Sequence, residues 1–165
     1  MKKYIKNIVL FFVVVTLLSC EQERLDPELE TAEGGGKLTT YTAYTVDATD
    51  PTGSNVYGRV VFYKTTLDQT LVQVSLYNTI SGFMHPVLIV GGPANTGTST
   101  LLTLDVIDGD SGEFMTSKFF VISDTSFYDS LDTLDAHISI SLSPSDDTVV
   151  AAGDIGINAE PVETN

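Results

Sequence analysis

From Thr39 onward the chain is a succession of short runs rich in β-branched and aromatic residues, each closed by a turn signal. This pattern constrains the fold more than any other feature, because runs of four to eight such residues between Gly, Pro and Asp clusters read as strands. The runs are Thr39–Val46, Tyr57–Lys64, Leu71–Tyr77, Val87–Val90, Leu101–Ile107, Lys118–Ile122, Ala136–Leu142, Thr148–Ala152 and Ile155–Ile157. Asp50-Pro51-Thr52-Gly53, Gly91-Gly92-Pro93, Asp108-Gly109 and Ser143-Pro144 punctuate them. Alternation puts Val72, Val74 and Leu76 on one face, Leu102, Leu104 and Val106 on another, and Ile138, Ile140 and Leu142 on a third. Period two predicts His137 facing solvent, opposite Ile138. About seven to nine short strands without a 20–50-residue repeat predict an all-β antiparallel sandwich or barrel. One short helix is expected near 126–133, where Phe127, Leu131 and Leu134 fall four and then three apart. Ser126 followed by Asp129 resembles a capping box.

Ahead of this domain stands a different kind of sequence. Lys2, Lys3 and Lys6 precede an apolar run of eleven residues, Ile8 to Leu18. That is short of the roughly 20 residues a membrane-spanning helix needs, and it has the grammar of a secretory leader. Leu17-Leu18-Ser19-Cys20 resembles a bacterial lipobox, which implies cleavage before Cys20 and lipidation of that residue. Cys20 is the only cysteine, so no disulfide is available to the fold. Residues 1–19 therefore read as a lipoprotein signal peptide and residues 20–38 as a lipidated cysteine with a tether. Residues 39–158 read as the β-domain and 159–165 as a C-terminal tail. The tether EQERLDPELETAEGGGKL is acidic and then Gly-rich, which reads as flexible. Glu21 and Glu23 directly behind the cysteine resemble the acidic export signals of lipoproteins of the Bacteroidetes type. The expected location is an outer-membrane lipoprotein, facing the cell surface or the periplasm.

Without residues 1–19 the chain has 146 residues, with five basic against 22 acidic side chains and a net charge of −17. Such a balance opposes nucleic-acid binding, which needs Lys and Arg against phosphate, and favours a hydrated, repulsive surface. Two histidines, with the one cysteine expected to carry lipid, fall short of the three or four nitrogen or sulfur ligands of a zinc site. There is no Gly-x-Ser-x-Gly elbow and no phosphate-cradling loop. No catalytic residue set is legible. The acids that crowd one loop are Asp105, Asp108, Asp110 and Glu113. A Gly-punctuated hairpin is the first reading of that loop, and a calcium site is the alternative cofactor reading. Asp124, Asp129, Asp132 and Asp135 read as caps and loop solvation.

The C-terminal stretch Asp135-Ala136-His137-Ile138-Ser139-Ile140-Ser141-Leu142-Ser143, followed by Thr148-Val149-Val150-Ala151-Ala152-Gly153-Asp154-Ile155-Gly156, resembles the end of a chordin-type (CHRD) domain. His85-Pro86-Val87-Leu88-Ile89-Val90-Gly91-Gly92 sits where that family has a histidine-rich motif. The likeness covers about residues 39–158. It implies an immunoglobulin-like sandwich or barrel and, for bacterial members, lipoproteins without a settled activity. Leu88-Ile89-Val90 replaces the family's His-Ile-His, so a metal site carried by those histidines is not expected here; His85 reads as a hydrogen-bonded turn residue.

The function expected from these observations is non-enzymatic. The chain reads as a lipid-anchored extracytoplasmic β-domain with a binding or envelope-structural role. Its partners would be the membrane, through Cys20, and a protein or glycan met by loops 50–56, 91–98 and 108–116. Tyr41, Tyr44 and Tyr57 are the aromatics available as contact area, unless they pack across a sheet. A carboxylate-dependent hydrolase, with or without calcium, is the competing class.

Overall fold

The computed structural model describes residue 38 and residues 40–49, 53–97 and 99–165. The leader, Cys20, the tether up to residue 37 and the Asp50–Thr52 part of the first turn lie outside the described residues. The domain is all-β and antiparallel. Its long strands are β1 (Thr40–Ala48), β2 (Tyr57–Lys64), β3 (Thr70–Tyr77), β5 (Val87–Gly91), β6 (Ser99–Thr103), β9 (Phe120–Ile122), β10 (Asp135–Ser143) and β11 (Asp146–Gly156), with β12 (Glu163–Thr164) at the end. They form one sheet in the order β6-β5-β10-β11-β1-β2-β3-β9, β12 adding to β1, and the sheet curls into a half-barrel. Three two-residue strands, β4 (Met84–His85), β7 (Ile107–Asp108) and β8 (Glu113–Phe114), make a separate small sheet in the order β4-β7-β8.

The curl is made by β1. Residues Thr40 to Val46 pair with β2, whereas Asp47 and Ala48 pair with Ala152 and Ala151 of β11. One strand thereby serves both halves of the sheet. The two stretches expected at 148–152 and 155–157 are one continuous strand, β11. Gly153 in its middle is not a break: a Cβ there would run into the carbonyl of Thr45, so glycine lets β1 cross close by. Residues 159–165, read from the sequence as a tail, belong to the fold. The Val162 amide donates to the Ala43 carbonyl (2.9 Å), and Tyr41 and Asn165 exchange backbone hydrogen bonds of 3.3 and 3.1 Å.

The concave side holds the core, with Tyr44, Phe62, Val72, Ile89, Ile138 and Ile155 among its fully buried members. Burying an aromatic or aliphatic side chain of this size contributes about 1.5–3 kcal/mol. Tyr44 meets Phe62 edge-on with centroids 6.3 Å apart. Burial pushes the Tyr44 hydroxyl up from its ordinary value, and does the same to Tyr128. Tyr41 lies on the opposite face of β1, against Tyr63 at 5.9 Å. Tyr41 and Tyr44 are thus packed across the sheet, and Tyr57, stacked on Tyr77 at 5.4 Å, is the exposed one of the three.

Several local expectations are corrected. Strand β6 stops at Thr103, and the core receives Leu104 and Ile107 while Val106 stays half-buried. Asp105 turns the chain there by accepting the Val106 amide on its carboxylate (2.8 Å). His137 is buried, not solvated. The loop after β5 folds back over β10: Gly92 accepts from His137 Nδ1 (2.8 Å) and the Ala94 amide donates to Asp154 (2.6 Å). The helix is present as α1 (Phe127–Ser130) followed by a 3₁₀ turn, Leu131–Thr133. Its capping box is not formed. Ser126 Oγ donates to Asp124 (2.7 Å), and Asp129 instead takes the Lys64 ammonium at 2.6 Å. Aspartate is one methylene shorter than the glutamate that reaches back in such a box.

Candidate functional site

The small sheet packs against β10 through β4 and against β3 through β8, and its register sorts its residues cleanly. Met84 lies opposite Asp108, and Asp108 opposite Glu113; His85, Ile107 and Phe114 form the next row. Cross-strand partners share a face and neighbours alternate. His85 and Ile107 are fully buried and Phe114 is nearly so. Met84 therefore points outward together with Asp108 and Glu113. Met115, whose amide donates to the Val106 carbonyl (3.0 Å), extends the same outward face by one row. Met84 is 45% and Met115 51% exposed; Phe83, 40% exposed, lies on the side of His85. Two flexible thioethers, edged by the carboxylates of Asp108 and Glu113, make an apolar surface with an acidic rim.

Its support is built from the turn between β7 and β8. Asp108 accepts the Asp110 amide on its carboxylate (3.0 Å) and the Gly112 amide on its carbonyl (2.7 Å), which is how Asp and Gly close short loops. The turn then docks on residues 80–83. Asp110 Oδ1 accepts from Ser81 Oγ (2.5 Å) and from the Gly82 amide (3.2 Å), and the Gly109 amide donates to the Phe83 carbonyl (2.9 Å). A Cβ on Gly109 would strike the Ile80 carbonyl, so this approach requires glycine. The Leu76 amide donates to Gly112 (2.8 Å), tying the turn to the end of β3.

His85 fastens the other side. Its ring is fully buried; Nε2 accepts from the Ile80 amide at 3.4 Å, and Nδ1 donates to the Ser141 carbonyl of β10 at 3.1 Å. This pattern corresponds to the neutral Nδ1–H tautomer. Phe83 stacks on the same ring, with centroids 6.5 Å apart. His85 is hydrogen-bonded as expected, but it is no turn residue: it ends strand β4 and is fully buried, because its ring bridges the Ile80 amide and the Ser141 carbonyl.

Three of the four acids of the calcium reading, Asp105, Asp108 and Asp110, spend their carboxylates on local hydrogen bonds. Asp105 accepts the Val106 amide (2.8 Å) and the Thr116 amide (3.3 Å), while Asp108 and Asp110 make the turn bonds given above. Glu113 stands across from Asp108 in the outward row, its amide donating to Ser111 Oγ (3.3 Å). Among the described residues no three His, Cys, Asp or Glu side chains converge as a metal-holding group. In the second acidic set, Asp129 holds Lys64 and Asp135 accepts from Asn158 (2.9 Å). Hydrogen bonds from Ser126 hold the Asp124 carboxyl below its ordinary range, and those from Thr148 do so for Asp146.

Of the three loops expected to bear contacts, 91–98 is spent on covering β10. Loop 50–56, in its described part, lies beside the site, since Asn78 Nδ2 donates to the Asn55 carbonyl (3.1 Å). Loop 108–116 carries it. The sequence reasoning missed Phe83 and Met84. Their signal was two large apolar residues in a Ser-Gly-Phe-Met-His-Pro stretch too short for a core strand. No family model, no curated protein and no solved structure matches the chain.

Proposed function

We propose that the chain is a non-enzymatic, lipid-anchored extracytoplasmic β-domain that binds a protein partner through the outward face of the small sheet. The reading is carried by one observation: Met84 stands exposed in register with Asp108 and Glu113, and Met115 is exposed further along the same face. Exposed apolar groups ringed by polar ones favour protein contact, and methionine adapts its shape to a partner. The acidic rim favours a partner that brings an apolar anchor flanked by Lys or Arg. The resemblance of residues 135–156 to a chordin-type domain enters as a proposal about fold family. The lipobox-like Leu17 to Cys20 supports an outer-membrane anchor, and no helix among the described residues is long and apolar enough to cross a membrane.

Two experiments test this. A photo-crosslinking amino acid placed at Met84 in living cells gives a discrete protein adduct, whereas one at Leu67, 64% exposed elsewhere, does not. Equal or absent adducts at both positions reject the site, and adducts with glycan alone reassign the partner. For the anchor, Cys20→Ser abolishes membrane retention; a variant that still sediments with membranes in high salt rejects lipidation. Protease shaving of intact cells then separates a surface-facing from a periplasmic domain.

A further inference from the structure

The large sheet has two ends, and they are finished differently. Its order leaves β6 and β9 as the terminal strands. A terminal strand presents a row of unpaired backbone N–H and C=O groups, which proteins blunt by keeping the strand short, by charged side chains, by proline or by a bulge. Strand β9 is blunted twice over: it has three residues, and Lys118 and Asp124 stand two residues before and after it. Strand β6 has five, Ser99-Thr100-Leu101-Leu102-Thr103, with neither charge nor proline. Among the described residues it pairs with β5 alone. Its one irregularity is a register shift: Thr100 faces Val90 and Leu102 faces Ile89, which leaves Leu101 between them without a partner on β5.

The side chains match an edge awaiting a neighbour. Leu102 packs against the core, whereas Ser99, Thr100, Leu101 and Thr103 are exposed, Leu101 by 51%. Threonine suits a pleated strand. The distribution of charge then selects the neighbour. The chain has 22 acidic side chains, yet residues 69–104 contain no Asp, Glu, Lys or Arg. A second copy brings the same acids to the same places, and like charges set directly opposite each other destabilise a strand pair. Two copies therefore meet most favourably inside the charge-free stretch. Strand β6 is the sheet edge that lies within it. Antiparallel pairing of β6 with its own copy is isologous, the same patch serving on both sides. Full overlap of the five residues puts Leu101 opposite its counterpart, Thr100 opposite Leu102 and Ser99 opposite Thr103. No carboxylate enters the contact.

We propose that two copies of the chain join β6 to β6 across a two-fold axis, so that one sheet runs through both. Backbone hydrogen bonds supply the pairing, as in strand addition generally, and Leu101 is covered near the axis. The small sheet takes no part, so the proposal is independent of the function proposed above.

The test uses the full-length chain in living cells, with two differently tagged copies expressed together and a photo-crosslinking amino acid at Thr100. Facing residues of paired strands lie about 4.5–5.5 Å apart at Cβ, within reach of the probe. The expected product has twice the mass of the chain and carries both tags; the same probe at Val121, 46% exposed on β9, gives none. Leu101→Lys in both copies sets two ammonium groups together at the axis and should cut the adduct at least tenfold. Leu101 is exposed, so the fold should tolerate the change. Pairing one Leu101→Lys copy with one Leu101→Glu copy should restore the adduct, which a misfolded variant could not do. Absence of an adduct at Thr100 overturns the proposal. So does an adduct to a different protein, because the edge then serves another strand, and so does a doubled product that survives Leu101→Lys, because the copies then meet elsewhere.

Discussion

Replacing His85 with alanine should loosen the small sheet from the barrel, and the cost follows from its contacts. The ring is fully buried between β10 and the 80–83 turn. Emptying a buried site of this size costs about 2–5 kcal/mol, depending on how far the walls collapse. The Ser141 carbonyl also loses its donor, at about 1–3 kcal/mol for a buried orphan. The Ile80 bond at 3.4 Å is long and adds little. Because the vacated space lets the walls and solvent relax around Ser141, the two terms overlap, and the expected total is about 3–5 kcal/mol. Against a typical domain stability of about 5–15 kcal/mol, that leaves a folded but weakened protein. Asparagine can place an amide donor near Nδ1, so His85→Asn should keep the Ser141 bond and lose about half as much. Urea unfolding reads both values as shifts in midpoint at constant slope. The reasoning fails if His85→Ala lies within about 0.5 kcal/mol of wild type, the range of an ordinary surface change, or if asparagine is no better than alanine.

Gly109→Ala should destabilise by about 1–3 kcal/mol through overpacking against the Ile80 and Phe83 carbonyls; a neutral urea midpoint would show that the turn does not dock as described. Millimolar calcium should leave the thermal midpoint unmoved, since the carboxylates of Asp105, Asp108 and Asp110 accept backbone amides. A rise that Asp110→Ala abolishes would restore the cation reading. On the acid side, Asp124 and Asp146 are lowered from 3.8 by their Ser126 and Thr148 donors. A depressed folded value means their contribution is complete above the ordinary value of 3.8 and is lost as pH falls from there through the folded value. Asp124→Asn with Asp146→Asn should therefore flatten the acid limb of stability against pH, and an unchanged limb would contradict it. Lys64 is raised above 10.5 by Asp129, so its contribution is present below that value and fades as pH climbs past the folded one; Asp129→Asn should remove that alkaline slope.

Strand identity was largely written in the sequence. Tyr57–Lys64 appears with its expected bounds, and Leu71–Tyr77 gains a single residue. A period of two is a local property of consecutive side chains and needs no tertiary partner to be seen. The same holds for the Asp108-Gly109 turn and for the helix near 126–133. The period could not say what covers a strand's second face. His137 was assigned to solvent because its neighbours are apolar, yet a loop from 92 to 97 returns over it. Nor could it say that Met84 and Met115, 31 residues apart in the numbering, come to one face across β7. Those facts depend on long-range pairing and loop return. Backbone hydrogen bonds between distant segments decide them, and local side-chain chemistry does not encode which segments meet. The amino-acid order by itself determined strands, turns and charge; the tertiary structure decided which apolar groups the core took in and which it left facing outward.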